Sequence, residues 1–376
     1  MKICMLGHKR IPSREGGIEI VVEELSTRMA QKGHKVTCYN RRGHHVSGKK
    51  FDTELLKNYK NVELKSVCTI EKKGLAAMSS SMFATFKAAF GNYDIVHFHA
   101  EGTCAMLWLT KLFGKKCIVT IHGIDWQREK WRGSFASKYI KFGEKIAAKY
   151  ADEIIVLSKS IQNYFKETYN RETKFIPNGV NRPEIKLPNL IKKKFSLNKN
   201  NYILFLGRIV PEKGLRYLID AYQNVETNKK LVIAGGSSDT DDFVKELQQK
   251  SLKDKRILFT GFVDGDLLEE LYSNAYIYVL PSDLEGMPLS LLEAMSYGNC
   301  CLVSDIPECK DVVQDVGETF EKSNINDLAQ KIQYLLNNPK IVEKYKKNVQ
   351  LYVLDHYNWD DITDRTLDLY EMIIRE

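Results

Sequence analysis

No apolar run in the 376-residue chain approaches the roughly 20 residues that a membrane-spanning helix needs. The first residues enter a short apolar strand at once, with no apolar leader and cleavage site behind it, so no secretory signal is expected. Cysteine occurs eight times, at 4, 38, 68, 104, 117, 300, 301 and 309, and never as a CxxC pair. Several lie inside apolar runs such as Lys2-Ile3-Cys4-Met5-Leu6. This usage fits buried reduced thiols better than a disulfide framework and points to the cytoplasm. Repeats at solenoid spacing and low-complexity tracts are absent, which removes arrays and tails from consideration. What is present, 43% hydrophobic and 28% charged residues, is the balance of a folded globular chain.

The length exceeds one ordinary core and suits two. The net charge of +8 is unevenly spread. Residues 1–180 carry 31 Lys/Arg against 17 Asp/Glu, and residues 181–376 carry 25 against 31. A basic half joined to an acidic half suggests an anionic partner for the first: a phospholipid surface, a lipid diphosphate or a nucleic acid. No nucleic-acid-binding motif accompanies the charge, so that last partner is disfavoured.

Short apolar runs at 3–6, 36–39, 62–67, 94–99, 116–121 and 153–157 read as strands, separated by stretches of helical period such as Ile18, Val21, Val22, Leu25 and Met29. Strand–helix alternation implies parallel strands with crossover helices. After the turn Pro177-Asn178-Gly179-Val180, the polar stretch 181–201 reads as a linker. The alternation then restarts at 202–206 and runs through strands at 231–234, 257–260, 277–280 and 300–304. The expected architecture is α/β: a domain over 1–180, a second over 181–358, and a helix over 359–376. Two doubly wound halves imply a cleft where strand carboxyl ends and helix N-termini gather.

Several familiar catalytic signatures are missing. The GxGxxG of dinucleotide binding, the GxxxxGK[ST] phosphate loop and the GxSxG elbow of hydrolases do not occur where they would be needed. His97 and His99 alternate along one strand, but nothing with ligand spacing completes a zinc site, so no metal is expected.

The strongest signal is Leu280-Pro281-Ser282-Asp283-Leu284-Glu285-Gly286-Met287-Pro288-Leu289-Ser290-Leu291-Leu292-Glu293. It reads as a strand end, a loop, and a helix beginning near Pro288, a residue suited to a first helical turn. Gly286 lets backbone approach a ligand, and the exposed N–H groups and dipole of the helix N-terminus favour phosphate. Glu285 in the loop and Glu293 in the helix can accept hydrogen bonds from hydroxyls at opposite ends of one sugar-bearing ligand. A second signal is Gly207-Arg208-Ile209-Val210-Pro211-Glu212-Lys213: two cations just past a strand can neutralise a diphosphate. Weaker signals are Gly16-Gly17 before the first helix, and His122-Gly123-Ile124-Asp125, where a histidine past a strand end can bond a hydroxyl.

In this combination and order, with Pro177-Asn178-Gly179-Val180, these motifs resemble the retaining GT-B glycosyltransferases of family 4 over nearly the whole chain. The opening Ile11-Pro12-Ser13-Arg14-Glu15-Gly16-Gly17-Ile18-Glu19 is also similar to a bacterial subgroup that includes polysaccharide rhamnosyltransferases. The resemblance implies two Rossmann-like domains with a cleft between them and a last helix crossing back to the first. It implies that Arg208 and Lys213 hold the donor diphosphate, Glu293 the ribose, and Glu285 the sugar hydroxyls, helped by backbone N–H groups near Met287 and Leu289. His122 would contact the sugar near the reacting carbon, and Gly17 the phosphate or acceptor. The donor-binding set is then Gly17, Gly207, Arg208, Lys213, Glu285, Gly286, Met287, Pro288, Leu289 and Glu293, with His122, Arg208, Lys213 and Glu285 catalytic.

The expected reaction moves a hexose or deoxyhexose from a nucleotide-diphosphate sugar to a saccharide or lipid-linked acceptor with retention, in cell-surface polysaccharide synthesis. The nucleotide sugar is a co-substrate, and no metal or other cofactor is expected. The base stays open among UDP, GDP, dTDP and ADP. A nucleotide-sugar epimerase and a non-catalytic sugar- or membrane-binding protein are the competing readings. The segment Trp126-Gln127-Arg128-Glu129-Lys130-Trp131-Arg132 with Lys138, Lys141 and Lys145 mixes aromatics with base, as does Lys72-Lys73 ahead of the apolar stretch 75–90. Both suit peripheral contact with an anionic membrane at its cytoplasmic face.

Overall fold

The computed structural model describes residues 1–45, 56–72, 75–129, 133–237 and 240–376. Lys73, Lys130, Trp131 and Arg132, named above for a membrane contact, lie outside the described residues. The chain divides into two compact units, Met1–Asn178 with Trp359–Glu376, and Gly179–Asn358.

The first unit is built on β1 (Lys2–Leu6), β2 (Lys35–Arg41), β3 (Asn58–Tyr59), β4 (Val62–Val67), β5 (Ile95–His99), β6 (Lys116–Ile121), β7 (Glu153–Val156) and β8 (Lys174–Phe175). Their order is β3-β4-β2-β1-β5-β6-β7-β8, and only β3 runs antiparallel to its neighbour. The crossovers are α1 (Gly17–Gln31), α2 (Leu75–Phe90), α3 (Leu107–Leu112), α4 (Phe135–Tyr150) and α5 (Lys159–Tyr169). Parallel strands covered on both faces must be apolar almost throughout. That is why β1 and β5 are buried nearly end to end, with Cys4, Leu6, Val96 and Phe98 in one core cluster. Each such side chain contributes about 1.5–3 kcal/mol of apolar burial. Ser134 and Ser158 cap α4 and α5, accepting from the N–H groups of Ser137 and Ile161.

The second unit carries β9 (Tyr202–Leu206), β10 (Lys230–Ala234), β11 (Ile257–Gly261), β12 (Ile277–Leu280), β13 (Cys300–Ser304) and β14 (Glu318–Phe320), in order β11-β10-β9-β12-β13-β14. Every pairing in this sheet is parallel. Its helices are α6 (Leu190–Phe195), α7 (Leu215–Gln223), α8 (Asp241–Ser251), α9 (Gly265–Asn274), α10 (Leu289–Ser296), α11 (Pro307–Val313), α12 (Ile325–Asn337) and α13 (Pro339–His356). The chain then enters α14 (Trp359–Arg375), which packs on α1 in the first unit. Its apolar stripe, including Ile362, Leu367, Tyr370 and Ile373, is buried, and Asp360 and Asp364 pair with Arg28 and Lys32 of α1 at 2.7 Å each.

Two expectations need correction. The polar stretch 181–201 is not a bare linker: it forms α6, buries Ile191 and Leu197, and is held by Glu270, whose carboxylate accepts from the N–H groups of Asn189 and Ile191. The helix expected to begin near Pro288 begins at Leu289. Pro288 is its N-cap, in extended backbone, with its carbonyl accepting from the Leu291 and Leu292 N–H groups.

Candidate functional site

In each sheet the chain winds outward in both directions from one pair of strands, and the carboxyl ends of such a pair are where open α/β sheets hold ligands. In the second unit the pair is β9 and β12. The residues singled out from sequence cluster there. Gly207 and half-buried Arg208 follow β9, and a short 3-10 helix, Pro211–Lys213, turns the chain into α7. The segment 281–288 follows β12 and leads into α10.

Lys213 and Glu285 meet across this pair of strands. The Lys213 ammonium donates to Glu285 Oε1, and both side chains are about nine-tenths buried, 12% and 10% exposed. The Ser282 hydroxyl donates to the same oxygen at 2.6 Å, and Ser304 from β13 fixes Ser282 by donating to its carbonyl at 2.5 Å. The loop is tied further: Tyr217 of α7 donates to the Pro281 carbonyl and to Asp283 Oδ1, and the Asp283 N–H donates to the Glu212 carbonyl at 2.8 Å. Gly286, Met287 and Pro288, at the end of this loop, and Leu289, the first residue of α10, are buried. Glu293 sits mid-helix in α10 and is half-buried. It accepts from the Tyr272 hydroxyl at 3.2 Å, and the Tyr272 ring stacks on Tyr297 at 5.2 Å.

Gly235 explains how β9 and β10 can end so close together. Its φ is +145°, and a Cβ there would stand 1.8 Å from the Gly207 carbonyl oxygen, so only glycine fits.

The first unit has its own pair, β1 and β5, and the other two candidates, Gly17 and His122, belong here. Gly17 opens α1 behind extended Gly16 and is exposed. Past β1 comes Gly7, φ +108°, whose missing Cβ would meet the His99 carbonyl at 2.2 Å. His8 follows, buried, its Nε2 bonded to Asn40 Oδ1 at 3.0 Å. Glu19 of α1 is buried too, and its Oε1 accepts from the Lys9 N–H at 2.8 Å. Burial pushes the Glu19 carboxyl up, but the Lys9 charge and backbone N–H bonds outweigh it and leave the group lowered and ionised.

A row of histidines lines the ends of β5 and β6. His97 bonds Tyr370 of α14 at 2.5 Å through Nδ1 and Thr120 at 2.7 Å through Nε2. His99 Nδ1 lies 3.0 Å from His122 Nε2. Burial holds all of them neutral: His8 falls to about 4, His97 to about 3, His122 to about 4, and His99 well below its ordinary range. A neutral imidazole both donates and accepts, so one proton serves the His99–His122 contact. His97 and His99 are therefore strand-end residues held by hydrogen bonds, and no group of His, Cys, Asp or Glu able to hold a metal occurs among the described residues.

Sequence reasoning missed the carboxyl pair that braces the His122 loop. Glu101 and Glu144 are fully buried. Glu144 accepts from Trp126 Nε1 at 3.1 Å, from Tyr164 at 2.8 Å, and from Tyr169, while Glu101 accepts from the Asp125 N–H at 2.9 Å. Burial, with Asp125 and Glu144 beside it, pushes the Glu101 carboxyl well above the carboxylate range and keeps its proton on. Ala100 just before it has φ +73°, a left-handed conformation uncommon for a residue with a Cβ. No local sequence signal marks either acid, because both depend on helix α4 packing over the Glu101 turn. Gly143 permits that packing, since a Cβ there would meet the Glu101 carbonyl at 2.2 Å.

Comparison with known proteins covers both units. Residues 15–182 match the Glycosyltransferase Family 4 model and residues 188–352 match Glycosyl transferases group 1. The UDP-Gal:alpha-D-GlcNAc-diphosphoundecaprenol alpha-1,3-galactosyltransferase of Escherichia coli is 30% identical over 76% of this chain and 77% of its own. An uncharacterized glycosyltransferase of Methanocaldococcus jannaschii is 26% identical over 99% of this chain and 98% of its own. Among solved structures, Anabaena Alr3699/HepE in complex with UDP-glucose superposes with a TM-score of 0.82 at 17% identity, covering 99% of this chain and 100% of that one.

Proposed function

The chain belongs to the group 1 and family 4 glycosyltransferases and has their GT-B fold, and from that premise we propose that it moves a hexose or deoxyhexose from a nucleotide-diphosphate sugar to a saccharide or lipid-linked acceptor with retained configuration. The observation that carries the proposal is the Lys213–Glu285–Ser282 cluster at the carboxyl ends of β9 and β12. It sets a cation, a carboxylate and a hydroxyl at the point where an open sheet takes its ligand.

In this reading Lys213 and Arg208 face the donor diphosphate and stabilise the charge that builds on it as the glycosidic bond breaks. Preorganised charge stabilisation of this kind usually contributes more to catalysis than any other effect. Lys213 exchanges its carboxylate partner for phosphate, which frees Glu285 to accept from sugar hydroxyls. The N–H groups at the start of α10, near Met287 and Leu289, add a positive helix end toward the diphosphate. Glu293 takes the ribose hydroxyls. Neutral His122 serves as a hydrogen-bond partner for a sugar hydroxyl rather than as a cation, and Gly17 presents bare backbone at the head of α1. With Glu285 occupied by sugar hydroxyls, the acceptor attacks the face the diphosphate leaves, and the leaving phosphate oxygen takes its proton. The reaction requires no metal and serves cell-surface polysaccharide synthesis. The Escherichia coli relative, named for a diphosphoundecaprenol acceptor, supports the lipid-linked alternative.

A thermal-shift panel of UDP-, GDP-, dTDP- and ADP-sugars on wild type and Glu293→Ala tests the donor assignment. A ligand at about a hundred times its Kd stabilises the folded state by about 2.7 kcal/mol. One nucleotide class should raise Tm and lose its effect in the variant. No shift at millimolar concentration with any class would refute the reading.

A further inference from the structure

Helix α2 is inside out. Its core-facing side consists of small residues, Ser79, Ser80, Ser81, Ala84, Thr85 and Ala88, all buried. The serine hydroxyls turn back onto their own helix, donating to the carbonyls of Leu75, Ala76 and Ala77 at 2.9, 2.7 and 2.7 Å. The bulky apolar residues point the other way: Met82, Phe83, Phe86 and Phe90 are 43%, 46%, 55% and 60% exposed. A helix whose only task is to cover a sheet places its large side chains inward.

The exposed stripe continues onto α3. Phe86, Phe90 and Phe113 form a run of ring contacts with centroids 4.8 and 4.4 Å apart. Trp108 and Leu112, one turn apart on α3, are also exposed. Such a contiguous apolar patch, unlike scattered single residues, marks an interaction surface. The strands β4, β5, β6 and β7 are reached in one direction across the sheet, so right-handed crossovers put α2, α3 and α4 on the same face. Helix α3 packs on both of the others.

Charge identifies the occupant. Helices α2 and α3 contain no carboxylate, and the one in α4, Glu144, is fully buried. Lysines stand outward instead: Lys87 on α2, and Lys138, Lys141, Lys145 and Lys149 on α4, where Phe135 and Phe142 alternate with them. Aromatic and aliphatic tips rimmed by lysine, with no acid among them, match an anionic lipid surface. A second copy of the chain on a two-fold axis would oppose lysine to lysine.

We propose that the outer faces of α2, α3 and α4 form a docking surface for an anionic bilayer, with Phe83, Phe86, Phe90 and Leu112 entering the headgroup region. Docking concerns the first unit alone and does not depend on which sugar is transferred. It would hold the enzyme where a lipid-linked acceptor is found.

The test is cosedimentation of the full chain with phosphatidylglycerol–phosphatidylcholine vesicles and with pure phosphatidylcholine vesicles. Binding is expected only to the anionic set and should weaken with salt. F90E/L112E, at exposed positions and with an intact fold verified by circular dichroism as part of the test, should abolish it. Each lysine brought to such a surface is worth about fivefold in partition, so K138E/K145E should lose about 25-fold or more. Absence of binding to anionic vesicles, equal binding to both sets, or unaltered binding by F90E/L112E would each overturn the proposal. So would a concentration-dependent dimer in sedimentation equilibrium that F90E/L112E dissolves, which would assign the face to a second copy. Because no donor is present, these outcomes are independent of the sugar-transfer reading.

Discussion

Lys213 and Glu285 are ion-paired between the ends of β9 and β12, and the Ser282 hydroxyl shares the oxygen that the lysine uses. The pair neutralises two charges that would otherwise stand together, nearly buried, without compensation. Under the proposed function it also sets a threshold: the donor diphosphate would have to offer the lysine more than the carboxylate does. Lys213→Ala should lower kcat by about 10²–10³-fold, the range seen when one preorganised donor is removed. The pair should also be coupled. In a double-mutant cycle with Glu285→Gln, the interaction energy should fall at about 1–3 kcal/mol by thermal or urea unfolding, because each single change strands the other partner. Additive effects would mean that the two act separately.

Acid should unfold the first unit early. His8, His97 and His122 titrate at about 4, 3 and 4 in the fold against 6.5 for a free ring. Their folded values are depressed, so the stability they contribute is complete above about pH 6.5 and is lost as pH falls through 4. Each contributes about 1.4 kcal/mol per pH unit across that window. Urea unfolding of the whole protein at pH 8, 6 and 5 measures this, and stability unchanged between pH 6 and 5 would contradict it.

Glu101 should show the opposite slope. Its folded value is raised, so its contribution is complete below about pH 4.5 and declines as pH rises. Glu101→Gln keeps the acceptor for the Asp125 N–H and removes the ionisation. The variant should gain on wild type between pH 5 and pH 8, read as a difference in urea midpoint that widens with pH. A constant difference would show that Glu101 is ionised in the fold.

Gly235→Ala should destabilise the second unit by more than about 2 kcal/mol. Its Cβ would stand 1.8 Å from a backbone oxygen, which cannot rotate away as a side chain could, and its φ of +145° is strained for alanine. Differential scanning calorimetry would show the loss. Gly261→Ala is the control for positive φ alone, since its φ is +72° with nothing within 4 Å of the added carbon.

Legibility follows the range of the signals. The strands at 202–206 and 277–280 are readable because burial on both faces demands unbroken apolar runs, and the structure has them at those residues. The strand-end position of Arg208, Lys213 and Glu285 follows from the same pattern. Strands β3, β8 and β14, of two or three residues, escape notice because runs so short carry no period. The stretch 181–201 looks like a linker because its fixing partner, Glu270, lies far along the chain. Glu101 and Glu144 are invisible for a related reason: a buried acid is written in sequence like an exposed one. The stripe on α2 reads as apolar, but only the packing shows that serine and alanine take the inside.

The bond between His97 and Tyr370 joins residues 273 positions apart. Helix α14 leaves the ribosome only after all of Gly179–Asn358 has been made. Until then the first unit lacks the cover for α1 and the hydroxyl that seals His97 within its sheet. The half of the chain made first is therefore finished second, and a chain still short of α14 holds a first unit in which His97 has Thr120 but not yet Tyr370 as a partner.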